Sequence, residues 1–349
     1  MNEAAKEFMA DGQTVGMSIG IVMQGQVAYY NFGSTAIGSH KTPSNRTRYF
    51  IASITKTFTG TLLAQAVIDR KLKLDDDVRT YLPEPFPNLQ FNGEPIRMWE
   101  LVNHRSGLPF NLPERTQPWL LPGWDPAKNV ITESKELKAY SPEKFYNDLH
   151  KVKLPRVPGK EFSYSNAGAQ LAGLILEQLY GKTYEQLLKN EITGPLGMRN
   201  TKILLSPTES AQLPKAYSQS GEFLPVVSDR LPAAGSIKST AEDMVKYVRW
   251  EIGEKDPAVK ISHTPPVGEA PEIGYYVGLN WQIVRSKGVR TLFQDGNVPG
   301  FHSMCVVYPE LHLGMVVLTN GYDSFNPPSL SAFIGRILKT VDPRAAPTP

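Results

Sequence analysis

Cysteine is almost absent from this sequence: Cys305 is the only one in 349 residues. An intramolecular disulfide is therefore excluded. The apolar run from Met304 to Val307 around it points to a buried small hydrophobe rather than a nucleophile. Apolar runs of membrane-spanning length are also missing, so no membrane span is expected. The N-terminus lacks the charged-then-apolar pattern of a signal peptide. Removal of such a leader would leave the same beginning, so the compartment stays open. Neither sign of charge dominates, with 37 Lys and Arg against 34 Asp and Glu and a net charge of +3. The densest basic stretch, Arg70-Lys71-Leu72-Lys73, runs straight into Asp75-Asp76-Asp77. That is no footprint for a nucleic acid. There is no H-E-x-x-H motif and no Cys/His ligand spacing, so no metal is implied.

What is present is a soluble globular composition, 41% hydrophobic and 20% charged, able to bury a core. The length exceeds the usual single-domain size and predicts two lobes or one large domain. Residues 3–11 read as a helix. Met17 to Met23 and Val27 to Phe32, joined by Gln24-Gly25, read as a β-hairpin. From about Leu74 to Leu224 the pattern turns mostly helical with long, Pro-rich loops. It includes helices at Pro142–His150, Ala167–Tyr180 and Tyr184–Ile192. Ser239 with Glu242 predicts a capping box for a helix through Trp250. Strands are then expected at Gly278–Val284, Arg290–Gln294, His302–Tyr308 and Gly314–Asn320, before a closing helix from Ser329 to Thr340. The reading is a discontinuous sheet domain (1–73 and 225–349) with an α-rich domain (74–224) inserted. The fold class is α+β, an antiparallel sheet flanked by helices.

Chemistry enters at Ile51-Ala52-Ser53-Ile54-Thr55-Lys56, immediately before an apolar helical run. Positions i and i+3 share a helix face, which sets the Lys56 amine beside the Ser53 hydroxyl. The first turn also offers unpaired N–H groups and the positive end of the helix dipole. A buried lysine loses its proton more readily and can activate a serine. Gly16-Met17-Ser18-Ile19-Gly20 matches the G-x-S-x-G elbow. That motif needs a helix directly after the serine, and here strand-like sequence continues, so Ser18 reads as a strand residue. Tyr164-Ser165-Asn166 precedes the Ala167 helix and supplies a phenol and an amide. Ser165 or Asn166 would cap that helix. Gln294-Asp295-Gly296-Asn297 lies in a glycine-rich stretch beside a strand, where an N–H could face an oxyanion.

The order S-x-x-K, Y-x-N, then a strand carrying x-x-G resembles the serine β-lactamase and penicillin-binding-protein superfamily. The tyrosine form is similar to the class C branch with its D-peptidase and esterase relatives. Leu101–Pro109, Gly194–Met198, Ala233–Asp243, Gly278–Trp281 and Leu318–Asn320 resemble further stretches of that family. The resemblance implies a β-lactamase/transpeptidase-like fold. It also implies Ser53 as acylated nucleophile, Lys56 as its proton partner and Tyr164 as second member of the base system. Asn166 would orient substrate and Lys56. The N–H groups of Ser53 and of Asn297, which follows the motif glycine Gly296, would form the oxyanion hole. Which of Lys56 and Tyr164 is the acylation base stays open, since the two titrate as a coupled pair.

One position departs from the pattern: Gln294 stands where the family carries lysine or histidine. A missing cation weakens carboxylate binding and shifts the expectation from β-lactams toward esters or amides lacking that group. His302 is a candidate replacement, although strand alternation argues against it. His104, in a helix-end turn, reads as a structural histidine bonded to backbone. Tyr29, Tyr30, Trp119, Trp124, Tyr275 and Tyr276 are candidates for a cleft lining or for core. The expected function is a serine hydrolase without cofactor, acting on a β-lactam, a D-amino-acid peptide or a short-chain ester. The alternative is a slowly acylating penicillin sensor or a silent scaffold relative. The partner is a small-molecule or short-peptide substrate, and the oligomeric state is open. The resemblance suggests a periplasmic or secreted location, with a cytoplasmic one also compatible.

Overall fold

The computed structural model describes residues 1–114, 136, 139–224, 231–323 and 329–345. Trp119 and Trp124 lie outside these residues. A seven-stranded sheet has the spatial order β2-β1-β13-β12-β11-β10-β9, every neighbouring pair antiparallel. Its strands are β1 (Thr14–Met23), β2 (Gln26–Gly33), β9 (Gly274–Val277), β10 (Gln282–Ser286), β11 (Val289–Val298), β12 (Phe301–Tyr308) and β13 (Leu313–Gly321). The first hairpin turns at Gln24-Gly25, both at positive φ, as the right-handed strand twist favours. Three small pairs complete the strands among the described residues: β3 (Arg48–Phe50) with β8 (Lys238–Thr240), β4 (Gln90–Phe91) with β5 (Glu94–Pro95), and β6 (Ala216–Tyr217) with β7 (Phe223–Leu224).

Strand alternation sends side chains to two cores. One face places Met17, Ile19, Met304, Val306, Met315 and Val317 under the terminal helices α1 (Asn2–Phe8) and α10 (Leu330–Val341). The opposite face contributes Leu292, Cys305, Val307, Val316 and Leu318 to the larger core. That core also holds residues of α2 (Thr55–Ile68), α3 (Met98–Val102), α4 (Pro142–Leu149), α5 (Asn166–Tyr180), α6 (Tyr184–Leu187), α8 (Ala241–Gly253) and α9 (Pro257–Ser262). A short helix α7 (Pro207–Ala211) lies at the surface. Helix α2 is buried almost all round, so its sequence carries little amphipathic contrast. No helix among the described residues is long and apolar enough to cross a membrane.

Several expectations need correction. Ser239 is not the cap of α8: it pairs with Tyr49 in the β3–β8 ladder, and Thr240 Oγ1 accepts from Asp243 N–H instead. Gly278–Val284 is not one strand. Gly278 to Trp281 form the turn between β9 and β10, closed by Gly278 N–H donating to the Trp281 carbonyl at 2.9 Å, with Asn280 at φ 64°. Strand β9, which precedes it, has no sequence-level counterpart among the expected strands. The Tyr184 helix changes after Leu187 into a π-helical turn over Leu188–Thr193. The stretch Gln294–Val298 is strand, and the turn falls at Pro299-Gly300. Ser18 lies within β1 and contacts the Tyr49 hydroxyl at 3.2 Å.

Gly60 lets α2 approach the turn after β9, because a Cβ there would fall on the Leu279 carbonyl oxygen. Gly60→Ala is expected to cost about 1–3 kcal/mol from overpacking, despite alanine's better helix propensity. Urea unfolding reads the loss as a lower midpoint with an unchanged slope.

Candidate active site

Ser53 sits in a 3-10 turn (Ala52–Ile54) that leads directly into α2. Ala52 just before it has φ 45°, a left-handed conformation that costs a non-glycine residue energy and clusters at functional sites. The turn is held from two sides. The Ile51 N–H donates to the Ile237 carbonyl (3.0 Å), and the Ser303 hydroxyl donates to the Ile51 carbonyl (2.9 Å). Gly296 on β11 presses on the same turn, since a Cβ there would collide with the Ile51 carbonyl and the Ser303 hydroxyl.

Lys56 lies one turn on and is 0% exposed. Its Nζ donates to Ser53 Oγ at 2.9 Å and to the Ala234 carbonyl at 2.6 Å. Burial lowers its pKa from 10.5 to about 7, while the Asp295 charge acts the other way. The helix start is anchored by Asn280, whose Nδ2 donates to the Lys56 carbonyl at 2.9 Å. The Ala233–Ile237 segment lies along α2 through Thr59, which donates to the Ala233 carbonyl, and Thr55, which accepts from Ile237 N–H.

Tyr164 is half-buried, with its ring centroid 4.9 Å from Lys56 Nζ. Burial raises its pKa, a hydrogen bond with Ser53 opposes the rise, and the Asp295 charge adds to it. The phenol therefore keeps its proton at neutral pH. His104 packs against the Tyr164 ring at 4.2 Å between centroids. Its Nδ1 accepts from the Ser165 N–H at 3.2 Å, and burial and Lys56 push its pKa down to about 3. A neutral, backbone-bonded His104 is thus a support for Tyr164. Ser165 caps α5, accepting from Gly168 N–H at 2.9 Å. Asn166 donates from Nδ2 to Asn111 Oδ1 (2.8 Å), while the Lys56 amine has Ser53 and Ala234 as partners. Asn166 therefore does not orient Lys56 directly. Phe110 and Phe162, both largely exposed, flank the Tyr164 and His104 rings.

The third part is the outer half of β11. Strand β10 pairs with β11 only as far as Gln282↔Phe293, so among the described residues no strand covers that edge on the β10 side from Gln294 onward. The two-residue turn Lys287-Gly288 makes Ser286↔Val289 a hydrogen-bonded pair. Counting by twos, the N–H and C=O groups of Asp295 and Asn297 point to this free edge. Gln294 is buried, and its Nε2 donates to the Asp295 carbonyl at 3.0 Å. It faces the same side as its partner Cys305. His302, paired with Asn297, faces the other way and does not replace the missing cation. Among the described residues no cluster of three His, Cys, Asp or Glu is placed to hold a metal ion.

The structure thus brings Ser53, Lys56 and Tyr164 into contact and sets Gly296 against the same turn. Asn166 stands at the start of the helix that Ser165 caps. Tyr275 and Tyr276 instead line a separate cavity of about 750 Å³ with Trp99, Arg97 and Arg105. Tyr29 and Tyr30 pack against the two cores. Sequence reading missed the Ala234 carbonyl, Asn280 and Ser303, all of which act through backbone contacts between distant segments. Ala234, in Ala233–Asp243, and Asn280, in the Gly278–Trp281 turn, left a trace as parts of recognised stretches, and Ser303 left none.

The profile of a family described as Beta-lactamase matches residues 1–337. Protein flp of Staphylococcus aureus (strain MRSA252) is 26% identical over 329 residues, 90% of this chain and 61% of that protein. The chain therefore spans about three fifths of that relative's length. The D-alanyl-D-alanine-carboxypeptidase/endopeptidase AmpH of Escherichia coli (strain K12) is 29% identical, covering 89% of this chain and 80% of AmpH. Among solved structures, a β-lactamase/D-alanine carboxypeptidase from Yersinia pestis complexed with citrate superposes with a TM-score of 0.80. It is 23% identical and covers 97% of each chain. The backbone is thus a β-lactamase/transpeptidase-like fold.

Proposed function

The chain belongs to the β-lactamase family, and from that premise we propose that it is a serine hydrolase working through an acyl-enzyme on Ser53. The observation that carries this reading is the 2.9 Å contact between the Ser53 hydroxyl and a fully buried Lys56 amine. An amine with a pKa of about 7 is substantially unprotonated at neutral pH. A phenol with a raised pKa is not. Lys56 is therefore the acylation base, and Tyr164 the hydrogen-bond donor and proton carrier.

In acylation Ser53 Oγ attacks the substrate carbonyl and its proton passes to Lys56 Nζ. The oxyanion receives the N–H groups of Ser53 and Asn297. The C–O or C–N bond then breaks as the Lys56 proton reaches the leaving group through Tyr164. Water, deprotonated by the same pair, attacks the ester, and the carbonyl re-forms as Ser53 takes a proton back. No cofactor enters. The cleft lies between the sheet domain (1–73 and 225–349) and the α-rich insertion (74–224), with Asn166 on its insertion side.

Gln294 decides among substrates. It brings no charge, and its amide is committed to a neighbouring carbonyl. Esters and amides without a free carboxylate therefore fit better than β-lactams or D-alanyl peptides. Gln294→Lys is expected to raise kcat/KM for carboxylate-bearing substrates about tenfold or more, with a smaller change on neutral esters. No gain would retire this account of specificity. The relatives named for β-lactams and D-alanyl peptides also admit a slow-acylating sensor. Turnover of nitrocefin, a p-nitrophenyl ester and a D-alanyl dipeptide at substoichiometric protein separates the two. Sustained release supports a hydrolase, and one product per protein followed by silence supports a sensor. The reading includes a periplasmic or secreted location, as the family resemblance suggests.

A further inference from the structure

The free edge of β11 carries one more charged group than the chemistry above requires. Asp295 follows Gln294 and precedes the motif glycine, and its side chain is exposed. Among the described residues its carboxylate has no hydrogen-bond or ion-pair partner. It lines a cavity of about 440 Å³ that begins at Gly296 and Asn297 and runs past His302 and Ser303 to Ser329 and Ser331. That cavity adjoins the N–H proposed for the oxyanion. Its charge balance among the described lining residues is set by Asp295. His302 is the other titratable group there, and burial pushes its pKa down to about 4, so it is neutral. The N-terminal end of α10 borders the same space, with its cap filled by Ser329, which accepts from Ala332 N–H. Gln294, on the opposite face of the strand, supplies no cation.

Resting on the serine-hydrolase reading, we propose that Asp295 is a specificity determinant, so that the part of the substrate lying along β11 carries a positive charge, a protonated or quaternary amine. An unpaired carboxylate beside the oxyanion site opposes the negative charge that develops there. A cationic substrate group between the two offsets that opposition, whereas a substrate carboxylate meets like charge. The charge of Asp295 acts on the reacting groups, opposing the burial that lowers the Lys56 pKa and adding to the burial that raises that of Tyr164. For a solvent-exposed carboxylate, screening leaves a preference of about 3- to 10-fold per unit charge.

The test uses three p-nitrophenyl esters of equal acyl length, ending in trimethylammonium, tert-butyl and carboxylate. In the unaltered protein at low salt, kcat/KM is expected to fall in the order cation, neutral, anion. Asp295→Asn is expected to compress the cation-to-anion ratio by about 10-fold or more, and Asp295→Lys to invert the order. Added salt should narrow the ratio in the unaltered protein and barely change it in Asp295→Asn. The acid limb of the rate profile should also move to lower pH in Asp295→Asn, which a purely structural role would not produce. A ratio unchanged within twofold in Asp295→Asn, or an unaltered protein that prefers the anion, overturns the proposal. The neutral ester separates this from the underlying reading: if its hydrolysis survives Ser53→Ala, the nucleophile assignment has failed instead.

Discussion

Ser53→Ala is expected to lower kcat/KM for a p-nitrophenyl ester by about 10⁴-fold or more, leaving the fold intact. The magnitude follows from removing the only atom that forms the covalent bond, since serine enzymes stripped of the nucleophile keep only binding and oxyanion stabilisation. The fold survives because the Ser53 turn is held by backbone contacts from Ile51 to Ile237 and to Ser303, not by the Ser53 hydroxyl. Circular dichroism and the urea midpoint should match those of the unaltered protein. A variant retaining a tenth of the activity would move the nucleophile elsewhere, with Ser18 excluded by its place inside β1.

Lys56→Met should be nearly as damaging to turnover, about 10³-fold or more, while making the protein more stable at neutral pH. The sign follows from linkage. Folding depresses the amine pKa from 10.5 to about 7, so between those values the unfolded chain binds more protons than the folded one. Stability of the unaltered protein therefore rises with pH across this window, and the penalty is fully present below it. Methionine removes the penalty but leaves the Ala234 carbonyl without its donor. The net gain is expected to be about 1–3 kcal/mol near pH 7, shrinking toward pH 10. Thermal melts of both proteins from pH 6 to 10 read it. A variant less stable than the parent at pH 6 would contradict the burial account of the base.

The parts legible in the sequence are those whose signal is local. The serine–lysine spacing, the Ser165 cap and the hairpin at Gln24-Gly25 depend on residues within a few positions. The three motifs could be ordered because their spacing resembles a family pattern. The unread parts depend on contacts between distant segments. Asn280 reaches the Lys56 carbonyl over 224 positions and Ser303 reaches Ile51 over 252. Nothing near either residue announces such a partner. The cap of α8 was misassigned to Ser239 because two adjacent hydroxyl residues fit the cap, and pairing with β3 decided between them. Which of Lys56 and Tyr164 is free of its proton at neutral pH was also unreadable, because it turns on burial. The lysine is fully enclosed, and the phenol has no cation beside it that outweighs its own desolvation.

The central claim is that Ser53 is acylated with the Lys56 amine as base. Its most direct test is peptide mapping by mass spectrometry after exposure to a fluorophosphonate probe, across pH 5 to 9. A single adduct on the peptide carrying Ser53, with a labelling rate that rises through an apparent pKa of about 7 and then levels, is the predicted result. An adduct on another serine, or labelling of Ser53 independent of pH across that range, would contradict it.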